Sequence, residues 1–94
     1  MTYKLEFVRD AFKEWNALDA SIQKQFKKKL LQRLENPDVA SARLIGSQHH
    51  YKIKLRSAGF RLVYEVHEQE VLVLVVAVGK RERNAVYKAA AKRL

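Results

Sequence analysis

Three basic residues stand in two neighbouring stretches that alternate between apolar and polar residues, and their spacing suits the binding of a polyanion. Lys52 and Lys54 alternate with apolar residues in YKIKL, and Arg61 does so in GFRLVYEV. Because side chains alternate across a strand, the cations of each stretch point to one face and the apolar residues to the other. No acidic residue occurs between Tyr51 and Tyr64. We expect this face to bind an external polyanion, the alternative being a solvated outer face of long side chains.

The two stretches are predicted to pair as an antiparallel hairpin. A turn at Ser57 and Ala58 brings the two apolar faces together, and the same register places Lys54 directly opposite Arg61. Gly59 offers an alternative, a β-bulge, because Ser-Ala is not a favoured two-residue turn. Like charges held opposite one another destabilise a sheet. The predicted hairpin therefore sets two repelling cations side by side.

A wholly apolar stretch, Val71 to Val78, follows the hairpin. Such a run is typical of a strand that is covered on both faces or lies in the middle of its sheet. We expect Gly79 to end it. Together with the hairpin, this stretch predicts a three-stranded antiparallel meander on which the remaining elements pack.

A strand and two helices are predicted ahead of the meander. Residues 2–8 alternate as in a half-buried strand. Asp10 is expected to cap a short first helix, and Asp19 or Ser21 a second helix whose apolar residues recur at four-residue intervals. Asn36-Pro37 is expected to end the second helix, because proline disfavours helical geometry in the residue before it.

Two further segments complete the predicted fold. In the connection between the second helix and the hairpin, Leu44 and Ile45 are expected to pack into the core. A final helix is predicted over residues 82–93, which are rich in alanine, a good helix former. This helix places Arg83 and Tyr87 one turn apart on the same face.

Positive charge is concentrated at one end of the predicted meander. The net charge is +9, which makes nucleic acid the leading partner, with an acidic protein or an anionic lipid as alternatives. After Gly79 the only acidic residue is Glu82, against six basic residues. Glu65, Glu68 and Glu70 gather instead at the second hairpin turn. The basic hairpin and the C-terminal segment are therefore expected to form one cationic surface.

A second cationic surface is predicted on the outer face of the second helix. Lys24, Lys27, Lys28 and Arg33 lie opposite its apolar stripe. A charged run of this kind is most often a solvated helix face, and the alternative is a second footprint on a large polyanion.

Several classes of chemistry are excluded because the sequence lacks the residues or motifs that they need. Cysteine is absent, which excludes disulfides, thiolate metal sites and a cysteine nucleophile. His49 and His50 are adjacent, so in a strand they point to opposite faces, and no metal-binding spacing of histidines occurs. Phosphate-loop, dinucleotide and nucleophile-elbow motifs are also missing. We expect no metal and no cofactor.

The 94 residues are expected to form a single domain, residues 1–94. The first residues include both Lys4 and Glu6, unlike a signal peptide, and the longest apolar run is too short to span a bilayer. We therefore expect a cytoplasmic protein with no membrane partner.

Three segments, KIKLR, GFRLVYEV and VLVLVVAVGKRERNAVY, carry a resemblance to a known family. In this order they resemble the RelE branch of the RelE/ParE toxin superfamily, and the resemblance covers essentially the whole chain. It implies a compact α+β fold with the order β-α-α-β-β-β-α, an antiparallel meander packed against two N-terminal helices with a C-terminal helix. It also implies a toxin that cleaves mRNA in the A site of a translating ribosome, without a metal, and so inhibits translation.

The resemblance implies two kinds of partner. One is the ribosome, through mRNA in the A site and 16S-type rRNA. The other is a cognate RelB-like antitoxin, which keeps the toxin inactive and represses the operon together with it, so that operator DNA is contacted only through the antitoxin. The residues expected to contact RNA are the basic ones of both cationic surfaces: Lys24, Lys27, Lys28, Lys52, Lys54, Arg56, Arg61, Lys80, Arg81 and Arg83.

Carried over position by position, the family's catalytic set falls on Lys52, Lys54, Arg61, Arg81 and Tyr87, all of which are present. Metal-free RNA cleavage requires the ribose 2'-hydroxyl to lose a proton, the phosphorane charge to be stabilised and the leaving 5'-oxygen to gain a proton. Arg61 with Lys52 or Lys54 is suited to stabilising the charge, since a guanidinium binds phosphate in a bidentate manner.

The roles of proton acceptor and proton donor stay open. Tyr87 is the candidate base, because surrounding cations favour a phenolate, and Lys54 is the alternative, because crowding by like charges lowers its pKa. Arg81 is the family's candidate donor, but a guanidinium is a poor acid, so we expect it to act as a transition-state clamp. The isolated protein is therefore expected to be a feeble nuclease that relies on the ribosome to orient the message.

Three alternatives remain. ParE-like toxins share the fold and inhibit DNA gyrase, but they generally lack this catalytic set. YoeB-like toxins use a Glu and a His near the C-terminus, and no His follows His67 in this chain. In a plain binding module the same cations grip ribosomal RNA and no bond is broken.

Overall fold

The computed structural model describes residues 2–82 and 84–93, and their α+β fold has the predicted order of elements. The helices and strands are β1 (Lys4–Phe7), α1 (Arg9–Asn16), α2 (Ala20–Glu35), β2 (His50–Leu55), β3 (Phe60–His67), β4 (Leu72–Lys80) and α3 (Ala85–Lys92). A short 3-10 turn, Ala40–Ala42, precedes β2. No helix in these residues is both long enough and apolar enough for a membrane span.

The sheet contains the predicted meander and one further strand. β2, β3 and β4 pair antiparallel, and β1 pairs with β4 in parallel. The strand order is β1-β4-β3-β2, so the wholly apolar β4 lies inside the sheet, as its sequence predicted. An interior strand that is covered on both faces has no side for polar residues, which explains its unbroken aliphatic run.

The first hairpin has the predicted register, in which Lys54 pairs directly with Arg61. Its turn is longer than predicted, because it spans residues 56–59 and its last residue, Gly59, has a φ of +72°. The Gly59 N–H donates to the Leu55 carbonyl at 2.8 Å. Glycine suits this position because a positive φ is strained for residues with a side chain.

Gly79 does not end β4, contrary to the prediction. It pairs with Arg61, and Lys80 beyond it still pairs with Phe60. A Cβ atom at Gly79 would lie only 3.2 Å from Cγ2 of Val86 on α3. The glycine therefore marks the close approach of a helix to the sheet, which a strand sequence read alone does not reveal.

The sheet is covered on both faces. α1 and α2 pack on one face and form the main core with side chains that include Phe26, Leu30, Ile53, Leu62 and Tyr64. On the other face α3 forms a second apolar cluster from Val63, Val76, Ala77, Val86 and Ala90. The face that carries the hairpin cations is thus partly covered by α3 and is not a fully solvated surface.

The connection before β2 differs from the prediction at Ile45. Its side chain is fully exposed, at 103%, whereas its neighbour Leu44 is half-buried against the α3 cluster. Gly46, which follows, has a φ of +83°. The tight turn at Gly46 leaves Ile45 pointing outward, a consequence of backbone geometry that hydropathy alone does not predict.

The ends of α1 and α2 follow the prediction in part. Asp10 lies inside the first turn of α1 and Val8 occupies the cap position, so the predicted cap is wrong. Asp19 precedes α2 as predicted, and α2 ends ahead of Pro37 as predicted. Asp10 still suits the first turn, where a negative charge is favourable.

α3 begins at Ala85, three residues later than the predicted start at Glu82. Asn84, directly ahead of it, has a φ of +58°. This left-handed conformation does not continue a right-handed helix, so α3 starts only after Asn84. Asn84 lines a cleft between the first hairpin and α3.

Candidate active site

A small cleft opens where the first hairpin, the end of β4 and the start of α3 meet. Its volume is about 150 Å³. Cations, a carboxylate, an amide and a phenol line it, contributed by Lys54, Arg61, Lys80, Arg81, Glu82, Asn84 and Tyr87. The fold therefore brings together at this cleft four of the five residues predicted to be catalytic.

Arg61 is the buried cation of the cleft, with a relative exposure of 7%. Its Nη1 atom donates to the carbonyl of Phe60 at 3.1 Å. Within residues 2–82 and 84–93, no carboxylate forms an ion pair with its guanidinium. A buried charge without a counter-charge is costly. The positive charge of the cleft is therefore suited to an anion.

Lys54 faces Arg61 across the hairpin. The pKa of Lys54 is lowered, most of all by the charge of Lys52, then by desolvation and by the charge of Arg61. This confirms the expected effect of crowding on Lys54. A lowered pKa raises the fraction of neutral amine at a given pH, and a neutral amine can accept a proton.

Tyr87 is half-buried on α3 and borders two adjoining spaces. One is the cleft, and the other is a wider groove of about 620 Å³ between α3 and the turn that precedes β2. Lys52, the fifth predicted catalytic residue, lines this groove together with Lys54 and Tyr87. Tyr87 thus lies at the surface beside the cations and is neither in the core nor turned away from them.

An ion pair with α1 fixes the far end of α3. Arg93 donates from Nη1 and Nη2 to the two carboxylate oxygens of Glu14 at 2.8 and 3.0 Å, and from Nη1 to the Val76 carbonyl at 2.8 Å. Glu14 Oε1 also accepts the Val78 N–H at 3.1 Å. Bidentate pairs of this kind fix geometry as well as charge. The pair therefore positions the helix that carries Tyr87.

Arg33 fixes β2 from the α2 side. Its Nη1 atom donates to the Lys52 carbonyl at 3.2 Å and to the Tyr64 hydroxyl at 2.9 Å. The Tyr64 hydroxyl in turn donates to the Pro37 carbonyl at 2.7 Å, and burial raises the pKa of Tyr64, which keeps it a neutral donor. The assignment of Arg33 to the solvated face of α2 is thus wrong, because its long side chain reaches the edge of the sheet.

The other predicted RNA-contacting residues are spread over the surface. Lys80 lines the cleft, and Arg56 is exposed in the hairpin turn. Arg83 lies outside the described residues. The lysines of α2 are exposed and lie on the opposite side of the sheet from the cleft, at Lys24, Lys27 and Lys28. The structure does not bring them to the cleft, so they form a separate surface.

Two cleft residues, Glu82 and Asn84, were not predicted from the sequence. Asparagine tolerates left-handed φ values better than most residues and is favoured ahead of helices, so its place before an alanine-rich stretch was an available signal. No sequence pattern indicated that Glu82 lies at the site, although it is the only acidic residue after Gly79.

The side chains of the cleft are of types that can take part in the chemistry of an anion. In the part of the chain that the structure describes, no group of three or more His, Asp or Glu side chains is placed to hold a metal ion. The cleft instead offers the guanidinium of Arg61 to stabilise negative charge, the hydroxyl of Tyr87, and the amine of Lys54, whose pKa is lowered.

Comparison with known proteins agrees with this description. The chain matches the family described as the ParE toxin of the type II toxin–antitoxin system parDE over residues 5–85. It is 49% identical over 94 residues to the mRNA interferase toxin RelE of Escherichia coli strain K12, covering 100% of this chain and 99% of the relative. A mutant of the E. coli toxin RelE in the free state superposes with a TM-score of 0.92 at 47% identity, covering 100% of this chain and 99% of that one. A chain of the intact E. coli RelBE toxin–antitoxin complex superposes with a TM-score of 0.82 at 48% identity, covering 86% and 99%.

Proposed function

This chain belongs to the RelE/ParE toxin family of type II toxin–antitoxin systems, as its sequence predicted, and we therefore propose that it is an endoribonuclease that cleaves mRNA in the A site of the ribosome. The observation that carries the proposal is the cationic cleft. There Arg61 is buried without a carboxylate partner among the described residues, Lys54 faces it, and Tyr87 borders the same space.

The cleft fits a phosphodiester group. A guanidinium can bind two phosphate oxygens at once, and Lys54 adds a compact charge beside Arg61. The volume of about 150 Å³ is smaller than the pockets that enclose whole drug-sized ligands. A single phosphate with the adjoining ribose oxygens is therefore the part of RNA that we assign to it.

We assign the reaction as attack of a ribose 2'-hydroxyl on the adjacent phosphorus. The 2'-oxygen gives its proton to Tyr87 as a phenolate or to Lys54 as a neutral amine, and the lowered pKa of Lys54 favours the second form. A bond forms between the 2'-oxygen and phosphorus while the bond to the 5'-oxygen breaks. The leaving 5'-oxygen takes a proton from water, and the products are a 2',3'-cyclic phosphate and a free 5'-hydroxyl.

Negative charge develops on the phosphoryl oxygens during this step. Arg61 with Lys52 or Lys54 stabilises it, which is the kind of electrostatic contribution that dominates many enzyme rates. Arg81 follows the end of β4 at the mouth of the cleft. We assign it to the leaving 5'-oxygen as a clamp and hydrogen-bond donor, because a guanidinium is a poor proton donor.

The ribosome supplies what an open cleft lacks. Holding the reacting oxygen and phosphorus in line contributes many orders of magnitude to a rate, and a shallow cationic surface alone does not orient a flexible strand. A message held in the A site is already oriented. The exposed lysines of α2 offer a second contact for the rRNA, at Lys24, Lys27 and Lys28.

A RelB-like antitoxin is the second proposed partner, supported by the solved toxin–antitoxin complex of a relative that is 48% identical to this chain. We propose that it binds the toxin, blocks cleavage, and links the toxin to operator DNA for repression of the operon. Action on translating ribosomes places the active toxin in the cytoplasm.

Primer extension on a message translated in a reconstituted system tests the proposed reaction. We expect 5'-hydroxyl ends at codon-positioned sites that appear only when ribosomes are present. Arg81→Ala is expected to weaken these signals about 100-fold or more, the usual effect of losing a group that stabilises transition-state charge. Arg9→Ala, on the exposed surface of α1, is the matched control and should cut like the wild type.

Two other outcomes would overturn the proposal in different ways. Blocked translation with an intact message would indicate a module that binds RNA without cutting it. Normal translation together with loss of gyrase-driven supercoiling would indicate action like that of ParE toxins.

A further inference from the structure

We propose that the groove beside the cleft, between α3 and the turn that precedes β2, binds the base of a nucleotide next to the scissile linkage. This inference rests on the proposed function and assigns the part of the site that distinguishes one message sequence from another. It is carried by the shape of the groove, by the distribution of charge in it and by the exposure of Ile45.

The groove and the cleft adjoin each other. Lys54, Asn84 and Tyr87 line both spaces. A phosphate held at Arg61 therefore has a neighbouring nucleoside at the entrance of the groove. The groove has a volume of about 620 Å³, within the range of sites that enclose small organic groups, so a purine or a pyrimidine can enter it.

The groove is apolar on its walls and cationic on its floor. Leu44 and Ile45 form one wall, and Ala90 and Ala91 of α3 form the other. Lys52 lies between the walls on β2. A nucleotide has the same division, with apolar base faces on one side and a phosphate on the other, and some enzymes that act on nucleic acids hold an unstacked base between apolar side chains.

Ile45 is exposed to a degree that the fold does not require. Its side chain is 103% exposed, so it contributes no apolar burial to the chain itself. Covering an isoleucine with an apolar face is favourable in proportion to the area removed from water. A base that enters the groove would cover Ile45 on one side and Ala91 on the other.

The turn that carries Ile45 is held in place although its side chain is not. The Ser47 N–H donates to the Leu44 carbonyl at 3.2 Å, and the Leu44 N–H donates to the His50 carbonyl at 2.8 Å. Gly46 provides the positive φ, +83°, that the turn needs. Because the backbone of the turn is already fixed, covering Ile45 costs only the freedom of a β-branched side chain, which has few rotamers.

Hydrogen-bonding groups lie at one end of the groove. Ser47 and His50 line it there, and Ser47 Oγ lies 2.5 Å from His50 Nδ1. A carboxylate lies close to the other side of the imidazole, with His50 Nε2 2.8 Å from Glu65 Oε2. A fixed hydroxyl at the end of an apolar slot is placed to contact the polar edge of a base, which is how sequence is distinguished in single-stranded RNA.

Single-turnover cleavage of messages that lack one base tests the inference. Wild type is compared with Ile45→Ala on ribosomes that carry an intact message, or a message with an abasic residue at either nucleotide flanking the cut. We expect the cleavage rate of the wild type to fall about tenfold at one of the two positions, since removing the base removes the apolar surface that the groove would cover. Ile45→Ala should cleave the intact message more slowly than the wild type does, and its cleavage rate should fall little further on the abasic message.

A second variant and a control keep the outcomes distinct. Ala91→Leu narrows the groove and is expected to slow cleavage beside a purine more than beside a pyrimidine. Leu5→Ala, a partly exposed aliphatic residue on β1, should behave like the wild type on every message. Equal losses from base removal in wild type and Ile45→Ala, with an unchanged purine-to-pyrimidine ratio in Ala91→Leu, would overturn the inference while the nuclease assignment stands. Failure of the wild type to cut the intact message would overturn the nuclease assignment itself.

Discussion

The two hairpin ends of the β2–β3–β4 meander hold charge in opposite ways. At the second hairpin, Glu65 lies within ion-pair distance of two histidines, and the Tyr3 hydroxyl donates to Glu68 at 2.7 Å. At the first hairpin, Lys54 and Arg61 face each other, and no carboxylate in the described residues pairs with either. The acidic side chains thus have partners within the chain, whereas Lys54 and Arg61 have no carboxylate partner among the described residues.

The pKa values of the two ends record the same difference. A hydrogen bond to Glu68 is the main cause that raises the pKa of Tyr3 to about 12, and this bond lowers the pKa of Glu68. The pKa of Lys54 is lowered chiefly by repulsion from Lys52. Folding therefore makes favourable contacts at the acidic end and unfavourable ones at the basic end. Functional sites often reduce the stability of the fold in this way.

Arg61→Gln is expected to have the largest effect on activity. Cleavage should fall about 100-fold or more, because a donor aimed at developing negative charge is lost. The free energy of unfolding should stay the same or rise by about 1 kcal/mol, since an unpaired buried charge is removed. Single-turnover cleavage and urea denaturation measure the two quantities. Unfolding at a clearly lower urea concentration would show that Arg61 stabilises the fold and would remove the contrast between the ends.

Glu65→Gln is the matched change at the acidic end and should have the opposite outcome. We expect a loss of about 1 kcal/mol in the free energy of unfolding, because contacts to His50 and His67 are weakened. Cleavage should stay near the wild-type rate. A cleavage defect as large as that of Arg61→Gln would show that the acidic end takes part in the chemistry.

Arg93→Ala is expected to have the next largest effect on activity, through the position of Tyr87. The variant loses the bidentate pair with Glu14 and the bond to the Val76 carbonyl. We expect kcat to fall about tenfold with little change in KM, because a small displacement of a reacting group is costly. Amide exchange in α3 should accelerate, and Arg93→Lys should restore part of the rate. Unchanged exchange in α3 would show that the pair does not hold the helix.

Lys52→Ala is expected to shift the pH profile of cleavage. Lys52 is the main cause of the lowered pKa of Lys54, so its removal raises that pKa. A lysine amine must be neutral to accept a proton, so the rate rises as the pH passes through its pKa. The rise should therefore move to higher pH in Lys52→Ala and stay in place in Lys80→Ala. An unmoved profile in Lys52→Ala would exclude Lys54 as the base.

Tyr3→Phe is expected to have the smallest effect, and only on stability. The pKa of Tyr3 is raised from 10.0 to about 12, so the contact with Glu68 stabilises the fold below pH 10 and is lost as pH rises towards 12. Wild type should lose stability over this interval more steeply than Tyr3→Phe, as followed by thermal unfolding. Parallel curves for the two proteins would show that the contact contributes nothing in solution.

The sequence was sufficient for most of the fold because the signals were local. The alternation around Lys54 and Arg61 specified the hairpin register, and the apolar run of β4 specified its interior place. The five predicted catalytic residues lie around the cleft and its groove. Their number and type were available from the resemblance, and the structure adds that four of them share one small space.

The remaining features depend on contacts between elements that are distant in sequence. Arg33 was assigned to solvent, yet it bonds to the backbone of β2, and Gly79 was assigned to a strand end, yet it makes room for α3. Ile45 was assigned to the core because it is apolar, yet the turn at Gly46 directs it outward. None of these outcomes follows from periodicity, because each depends on which element packs above the residue.

The most direct measurement removes one tyrosine hydroxyl at the basic end of the meander and one at the acidic end. Tyr87→Phe and Tyr3→Phe are compared with wild type for binding to programmed ribosomes and for single-turnover cleavage of the A-site codon. We predict that both variants bind like the wild type, that Tyr3→Phe cuts like the wild type, and that Tyr87→Phe cuts about 100-fold or more slowly. Wild-type cleavage by Tyr87→Phe would contradict the assignment of the reaction to the phenol and cations of the basic end.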